Sequence, residues 1–162
     1  MNQRIHWRWP LLIGGIALFI WGYRGTHYIR HDISGTSMSP LFSDGQSVLI
    51  KKNLPVQRYD VLAFSVVEEE GLFVKRVIGV PGDAVFLSGN RFVIDLDGTG
   101  RFVSTYSVDL SETLAKQWKG LSQIPEGRYF VLGDHLAVSK DSRSFGWVSY
   151  LRIEGQVTDR LF

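Results

Sequence analysis

From residue 31 onward the apolar residues come in short runs, separated by glycine, proline and acidic residues. That is the pattern of strands joined by tight turns. Ser47-Val48-Leu49-Ile50 predicts a short strand, opened by the turn pair Asp44-Gly45. Asp60 to Val67 and Leu72 to Val80 predict two more, joined through the polar Glu68-Glu69-Glu70-Gly71. Pro81-Gly82-Asp83 turns the chain into Ala84-Val85-Phe86-Leu87, and Ser88-Gly89-Asn90 makes a hairpin with Arg91 to Asp95. Arg128 to Leu132, Gly146-Trp147-Val148 and Ile153 to Val157 complete the β section. Only Ser111 to Trp118 reads as helix in this region, with Ser111 as its N-cap. The expected class is mostly β, in one domain over 31–162.

The N-terminus breaks this pattern. Trp9 to Tyr23 carries no charge and is bracketed by Arg8 and Arg24. As helix it rises about 22 Å, short of the roughly 30 Å of a hydrocarbon core. Extension to Trp7 and Tyr28, with the arginines snorkelling, brings it near span length. Trp7, Trp9, Trp21, Tyr23 and Tyr28 stand where interfacial aromatic belts occur. A cleaved signal peptide fits the length, but Tyr23-Arg24-Gly25-Thr26-His27 offers no small-x-small site. A buried soluble helix fits less well with Gly14-Gly15 and tryptophans at both ends. Residues 1–30 are therefore expected to form a tail, one uncleaved transmembrane helix in a lipid bilayer, and a linker. Arg4 and Arg8 favour a cytoplasmic N-terminus, diluted by Arg24 and Arg30, which leaves the bulk of the chain on the non-cytoplasmic side.

Composition removes several chemistries. The 162 residues hold no cysteine, so thiol catalysis and disulfides are out. A net charge of +2 gives no electrostatic case for nucleic acid, despite a pI near 9.0. Asp95-Leu96-Asp97-Gly98-Thr99-Gly100 hints at a calcium loop, yet the remaining ligand positions and the closing glutamate are missing, so a turn is expected. No metal or organic cofactor is expected.

Candidate chemistry rests on a serine and a lysine. Ser37 lies in the turn-like Gly35-Thr36-Ser37-Met38-Ser39-Pro40. Lys75 interrupts an apolar strand, with Phe73 and Val77 on its own face and Arg76 on the other. Burial among such residues disfavours the ammonium form, and a neutral amine is what a general base needs. A lysine stem lying on apolar surface with its head in water fits the strand equally well, and Ser37 by itself fits an ordinary turn serine. No Gly-x-Ser-x-Gly elbow accompanies His27, His31 and His135, so a Ser/His/Asp triad lacks its scaffold.

The wider pattern raises both residues together. Ser37-Met38-Ser39-Pro40 resembles the Ser-Met-x-Pro motif of the type I signal peptidases, the membrane-anchored Ser/Lys endopeptidases. Arg58-Tyr59-Asp60-Val61 is similar to their Arg-Gly-Asp-Val/Ile motif, with Tyr59 in place of glycine. Lys75-Arg76-Val77-Ile78-Gly79-Val80-Pro81-Gly82-Asp83 resembles their lysine motif throughout. Gly133-Asp134-His135 and Ser139-Lys140-Asp141-Ser142-Arg143-Ser144-Phe145-Gly146 resemble the last motif, with His135 for asparagine. The resemblance covers about 30–87 and 128–150.

It implies a signal-peptidase-like β-fold in which 84–127 is a short form of an accessory insertion. It implies Ser37 as nucleophile and Lys75 as general base. Ser139 would orient the lysine amine, and an Asp141–Arg143 ion pair would support the active-site backbone. Met38 and Val74, flanking the pair, are the pocket candidates. Gly35 stands where many members carry a serine that helps the oxyanion hole, which leaves the Ser37 N–H and an unnamed donor, Ser34 or Thr36 among them. Secretory preproteins would be the substrates, cut after small residues. A peptidase dedicated to pilin or conjugation substrates, and a catalytically silent membrane-tethered assembly scaffold, are the alternatives. A self-cleaving Ser/Lys repressor would need a DNA-binding domain where this chain has its apolar segment.

Overall fold

Val, Ile and Phe dominate the runs that become strands, and each branched or aromatic side chain needs a partner face to cover it. The computed structural model describes residues 12–16, 27–67 and 69–161. The larger sheet contains β1 (Tyr28–Asp32), β2 (Ser47–Lys51), β3 (Val61–Phe64), β4 (Phe73–Gly79), β8 (Arg128–Leu132), β9 (Val148–Ser149) and β10 (Ile153–Leu161). Its seven strands run in the order β1-β2-β10-β3-β4-β8-β9, with antiparallel pairing throughout. A three-stranded antiparallel sheet holds β5 (Val85–Ser88), β6 (Arg91–Asp95) and β7 (Thr105–Asp109). Helix α1 (Glu112–Gln117) follows it, and the short α2 (Ser142–Phe145) lies between β8 and β9.

Alternation along β4 sorts its side chains into different cores. Val74 packs with Ile33, Met38, Phe42 and Ile50, whereas Val77 packs on the other face with Phe64 and Val131. Ile78 joins a third cluster that unites the small sheet and α1 with the large sheet. Trp118 and Trp147 stack there with ring centroids 3.8 Å apart, and Phe92 and Phe130 close against them. The segment 84–127 is thus welded to the body through aromatic contacts.

Ser111 caps α1 by accepting from Leu114 N at 3.4 Å, as its sequence predicts. The predicted turn at 95–100 also forms, with Gly100 N donating to Asp95 Oδ1's partner oxygen, Oδ2, at 2.7 Å. Several boundaries differ. β1 occupies what reads as linker, because Tyr-Ile-Arg-His-Asp has a single aliphatic residue yet pairs fully with β2. β3 is shorter than Asp60–Val67, and β10 runs past Val157 to Leu161 through a bulge near Asp159. Of the expected anchor, residues 12–16 are helical and exposed, and the rest of Trp9–Tyr23 lies outside the described residues. Among the described residues no helix is long and apolar enough to cross a membrane.

Candidate active site

Ser37 is presented by the loop between β1 and β2. That loop is closed at its base by Ile33 N donating to Gln46 O (2.9 Å) and Gly45 N to Ile33 O (2.8 Å). Gly35 N donates to Asp44 Oδ1 at 2.6 Å, and Phe42 N to Met38 O at 2.9 Å. Met38 and Phe42 are buried beneath it, so the loop is pinned from below by its own apolar residues. Ser37 itself stays half-buried, facing a cavity of about 370 Å³.

Lys75 meets it from β4. Its side chain is only 4% exposed, and Nζ donates to Ser37 Oγ at 2.7 Å and to Val74 O at 3.0 Å. The Phe73 ring lies 5.7 Å away. Burial pushes the Lys75 amine below the ordinary lysine value, while the carboxylates of Asp141 and Asp134 pull it back up. Desolvation is the larger effect. The pair therefore joins a hydroxyl to an amine whose charged form is disfavoured.

Met38 and Val74 both line the cavity, together with Ile33, Leu72 and Phe73, which the sequence alone did not single out. Ser34 and Thr36 line it too. β4 pairs with β3 along Phe73–Arg76, but β8 joins its other edge only from Arg76. Among the described residues, Phe73 to Lys75 thus leave one strand edge beside the cavity without a neighbouring strand.

The segment after β8 completes the site. Arg143 grips Asp141 with two bonds, Nε to Oδ1 at 2.8 Å and Nη2 to Oδ2 at 2.9 Å. Asp141, with a fully buried side chain, also accepts from Gly133 N at 3.1 Å. Arg143 Nη2 reaches the carbonyls of Leu136 (2.7 Å) and Ser139 (3.2 Å), so one ion pair fixes the loop at both ends. The backbone N–H of His135 donates to Ser37 O at 3.0 Å, while the His135 side chain is exposed. Gly133 lies so close to Ser37 O that an added Cβ would approach to 2.5 Å.

A model of the family described as signal peptidase, peptidase S26, matches residues 6–162. The chain belongs to the signal peptidase family S26. Signal peptidase IB of Staphylococcus aureus is 31% identical over 99% of this chain and 91% of its own length. Signal peptidase I V of Bacillus subtilis (strain 168) is 31% identical over 82% of this chain and 84% of its own. The crystal structure of a signal peptidase I from Enterococcus faecalis V583 aligns with a TM-score of 0.45 and 30% identity, covering 65% of this chain and 98% of that one.

Within this signal peptidase one expected contact is not formed. Ser139 Oγ is buried but makes no hydrogen bond among the described residues, and it packs against Gly133. The Lys75 amine bonds Val74 O instead. The position of Ser139 follows from the Arg143 grip on its carbonyl, which sequence spacing does not reveal. Two further forks were also not singled out. Arg58 pairs Asp83 through two 2.7 Å bonds and reaches Ile78 O at 2.7 Å. Arg76 pairs Asp134 at 2.8 and 2.7 Å and donates to Tyr59 O at 2.9 Å. Their only sequence signal is that each arginine and aspartate belongs to a motif.

Proposed function

We propose that this peptidase is a membrane-anchored Ser/Lys endopeptidase that removes signal peptides from secretory preproteins on the non-cytoplasmic side. The observation that carries the reading is the 2.7 Å contact between Ser37 Oγ and a buried Lys75 Nζ. In its neutral form the amine accepts the Ser37 proton across that contact as Oγ attacks the scissile carbonyl. The resulting ammonium hands the proton to the leaving amine, and an acyl-enzyme on Ser37 remains. A water, deprotonated by the again neutral Lys75, then releases the acyl group. The Ser37 N–H, with Thr36 or Ser34 beside it, would receive the oxyanion.

The substrate lies extended along the free edge of β4 at Phe73–Lys75, adding its backbone to the strand. Side chains before the cut enter the cavity beside Ser37, where Ile33, Met38 and Val74 supply apolar contacts, and the small residues that the resemblance implies are the ones expected there. Asp141 and Arg143 act as support, holding the loop that carries Gly133 and Ser139. Trp9 to Tyr23 supplies the membrane anchor through its uncharged length and flanking aromatics.

Cleavage of a model preprotein in detergent micelles, with the cut mapped by mass spectrometry, tests the reading. Wild type should cut once, after a small-x-small sequence, and Ser37→Ala and Lys75→Ala should not. Cleavage persisting in both variants would assign the chemistry to other residues. No cleavage by wild type across several preproteins would favour a silent scaffold or a dedicated pilin-type peptidase.

A further inference from the structure

A second cavity, of about 650 Å³, is lined by neither Ser37 nor Lys75 but, among others, by residues close to them along the chain. Three chain segments line both cavities. The nucleophile loop lines the first cavity up to Met38 and the second with Pro40 and Leu41. β4 lines the first with residues up to Lys75 and the second with Arg76 and Ile78. The loop after β8 lines the first with Val138 and Lys140, and the second with Gly133 to Leu136 less His135. An extended peptide that fills the first cavity and follows the nucleophile loop and β4 onward meets the second. Beyond Lys75 the edge of β4 is occupied by β8, so the departing chain loses its strand partner there and needs another surface.

We infer that this second cavity is a subsite for the residues just after the scissile bond, taking a large apolar side chain next to an acidic one. The inference rests on the peptidase reading of Ser37 and Lys75. The walls are apolar, with Leu41, Ile78, Leu132 and Leu136 contributing. The charges at its rim do not cancel. Arg76 and Asp134 neutralise each other through a bidentate pair. Arg160, on β10, has no carboxylate partner among the described residues and lies over the Phe42 ring with 5.3 Å to the centroid. One uncompensated cation therefore faces the exit path, and it favours a substrate carboxylate over a substrate ammonium. Tyr59 adds a further sign of use. It is half-exposed at the rim and held at φ 72°, a conformation that disfavours any side chain.

The test is a peptide series with a constant Ala-x-Ala sequence before the cut and varied residues at the second to fourth positions after it. Wild type should cleave peptides with Asp or Glu about threefold faster in kcat/KM than those with Lys, the size expected for an exposed pair. It should prefer Leu or Phe over Gly at one of these positions by roughly tenfold. Arg160→Glu should invert the acid-to-lysine ratio, and Leu136→Ala should shrink the apolar preference. Arg160 is exposed, so its variant keeps the fold and the ratio stays measurable. Cleavage with a flat profile after the cut, or a ratio unchanged in Arg160→Glu, would overturn the inference while leaving the peptidase reading intact. Failure of wild type to cut any peptide of the series would remove both.

Discussion

Replacing Asp141 with asparagine should do two separable things, and both can be worked from the structure. Asp141→Asn keeps the shape of the side chain but removes its charge from a fully buried position against Arg143. Breaking a buried ion pair by removing one partner costs about 3–5 kcal/mol. Here Arg143 is 24% exposed and retains its bonds to Leu136 O and Ser139 O. The loss should therefore fall near the low end, about 3 kcal/mol, within the total of roughly 5–15 kcal/mol for a domain. For a chain of this size that lowers Tm by about 10 °C. The second effect concerns Lys75. Asp141 is the first of the two carboxylates that raise its pKa against desolvation, so removing the charge lowers it further. A base works when neutral, and activity rises with pH through its pKa. The ascending limb of kcat/KM should thus move to lower pH in Asp141→Asn, even as the plateau falls because the loop is less well held. A pH series on a fluorogenic peptide, with a thermal melt of the same preparations, reads both. A limb that moves to higher pH, or does not move in a folded variant, would refute the assignment of Lys75 as base. An unchanged Tm would refute the structural role given to the ion pair.

Lys75→Met should raise stability at neutral pH by about 1 kcal/mol while abolishing cleavage, because the site holds a charge-bearing amine where an apolar side chain packs better. The sign follows from the lowered folded pKa: the wild type gains stability as pH rises from the folded toward the unfolded lysine pKa, and Lys75→Met should lack that gain in melts run across the alkaline range. Gly133→Ala should reduce cleavage at least tenfold, since its Cβ would push on Ser139 and on Ser37 O, the latter from 2.5 Å; normal kcat in a variant that melts like wild type would show that both give way without cost. Tyr59→Gly should stabilise by about 0.5 kcal/mol in denaturant unfolding, the left-handed cost of about 1–2 kcal/mol being partly offset by glycine's entropy.

The strands that were legible are those with several branched or aromatic residues bounded by glycine or proline, as β4 and the β5–β6 hairpin are. β1 was not, because only Ile29 of its residues is aliphatic and its pairing partner supplies the rest of the order. Lys75 could be read from the sequence because a lysine flanked by Phe73 and Val77 needs a reason to be there. The forks of Arg58 and Arg76 could not, since their carboxylates lie 25 and 58 residues away. The same limit applied to Ser139. Its place in the motif was visible, but its direction depends on Arg143 holding the backbone around it.

Those forks also raise the question of why a small β-domain spends arginine–carboxylate pairs where apolar contacts would serve. Such pairs add little net stability when partly buried, and apolar replacements of similar volume are often neutral or stabilising. What a bidentate fork adds is direction, because two parallel bonds fix orientation as well as distance. Arg76 ties β4, one residue after Lys75, to Asp134 in the loop whose His135 N–H holds Ser37 O. It also holds Tyr59 O, and so sets three segments around the pair at once. An apolar contact at 76 and 134 would allow the loop to slide, and a displacement near 1 Å can cost about 100-fold in rate. The double variant Arg76→Met/Asp134→Leu should therefore melt within about 1 kcal/mol of wild type yet lose tenfold or more in kcat, measured on the alkaline plateau. The plateau matters because Asp134 also raises the Lys75 pKa, and its loss moves the limb to lower pH. A variant that keeps both stability and kcat would mean that packing alone aligns Ser37 with Lys75. A variant that loses stability by several kcal/mol would mean the pair is part of the fold's own support rather than a device that orients the site.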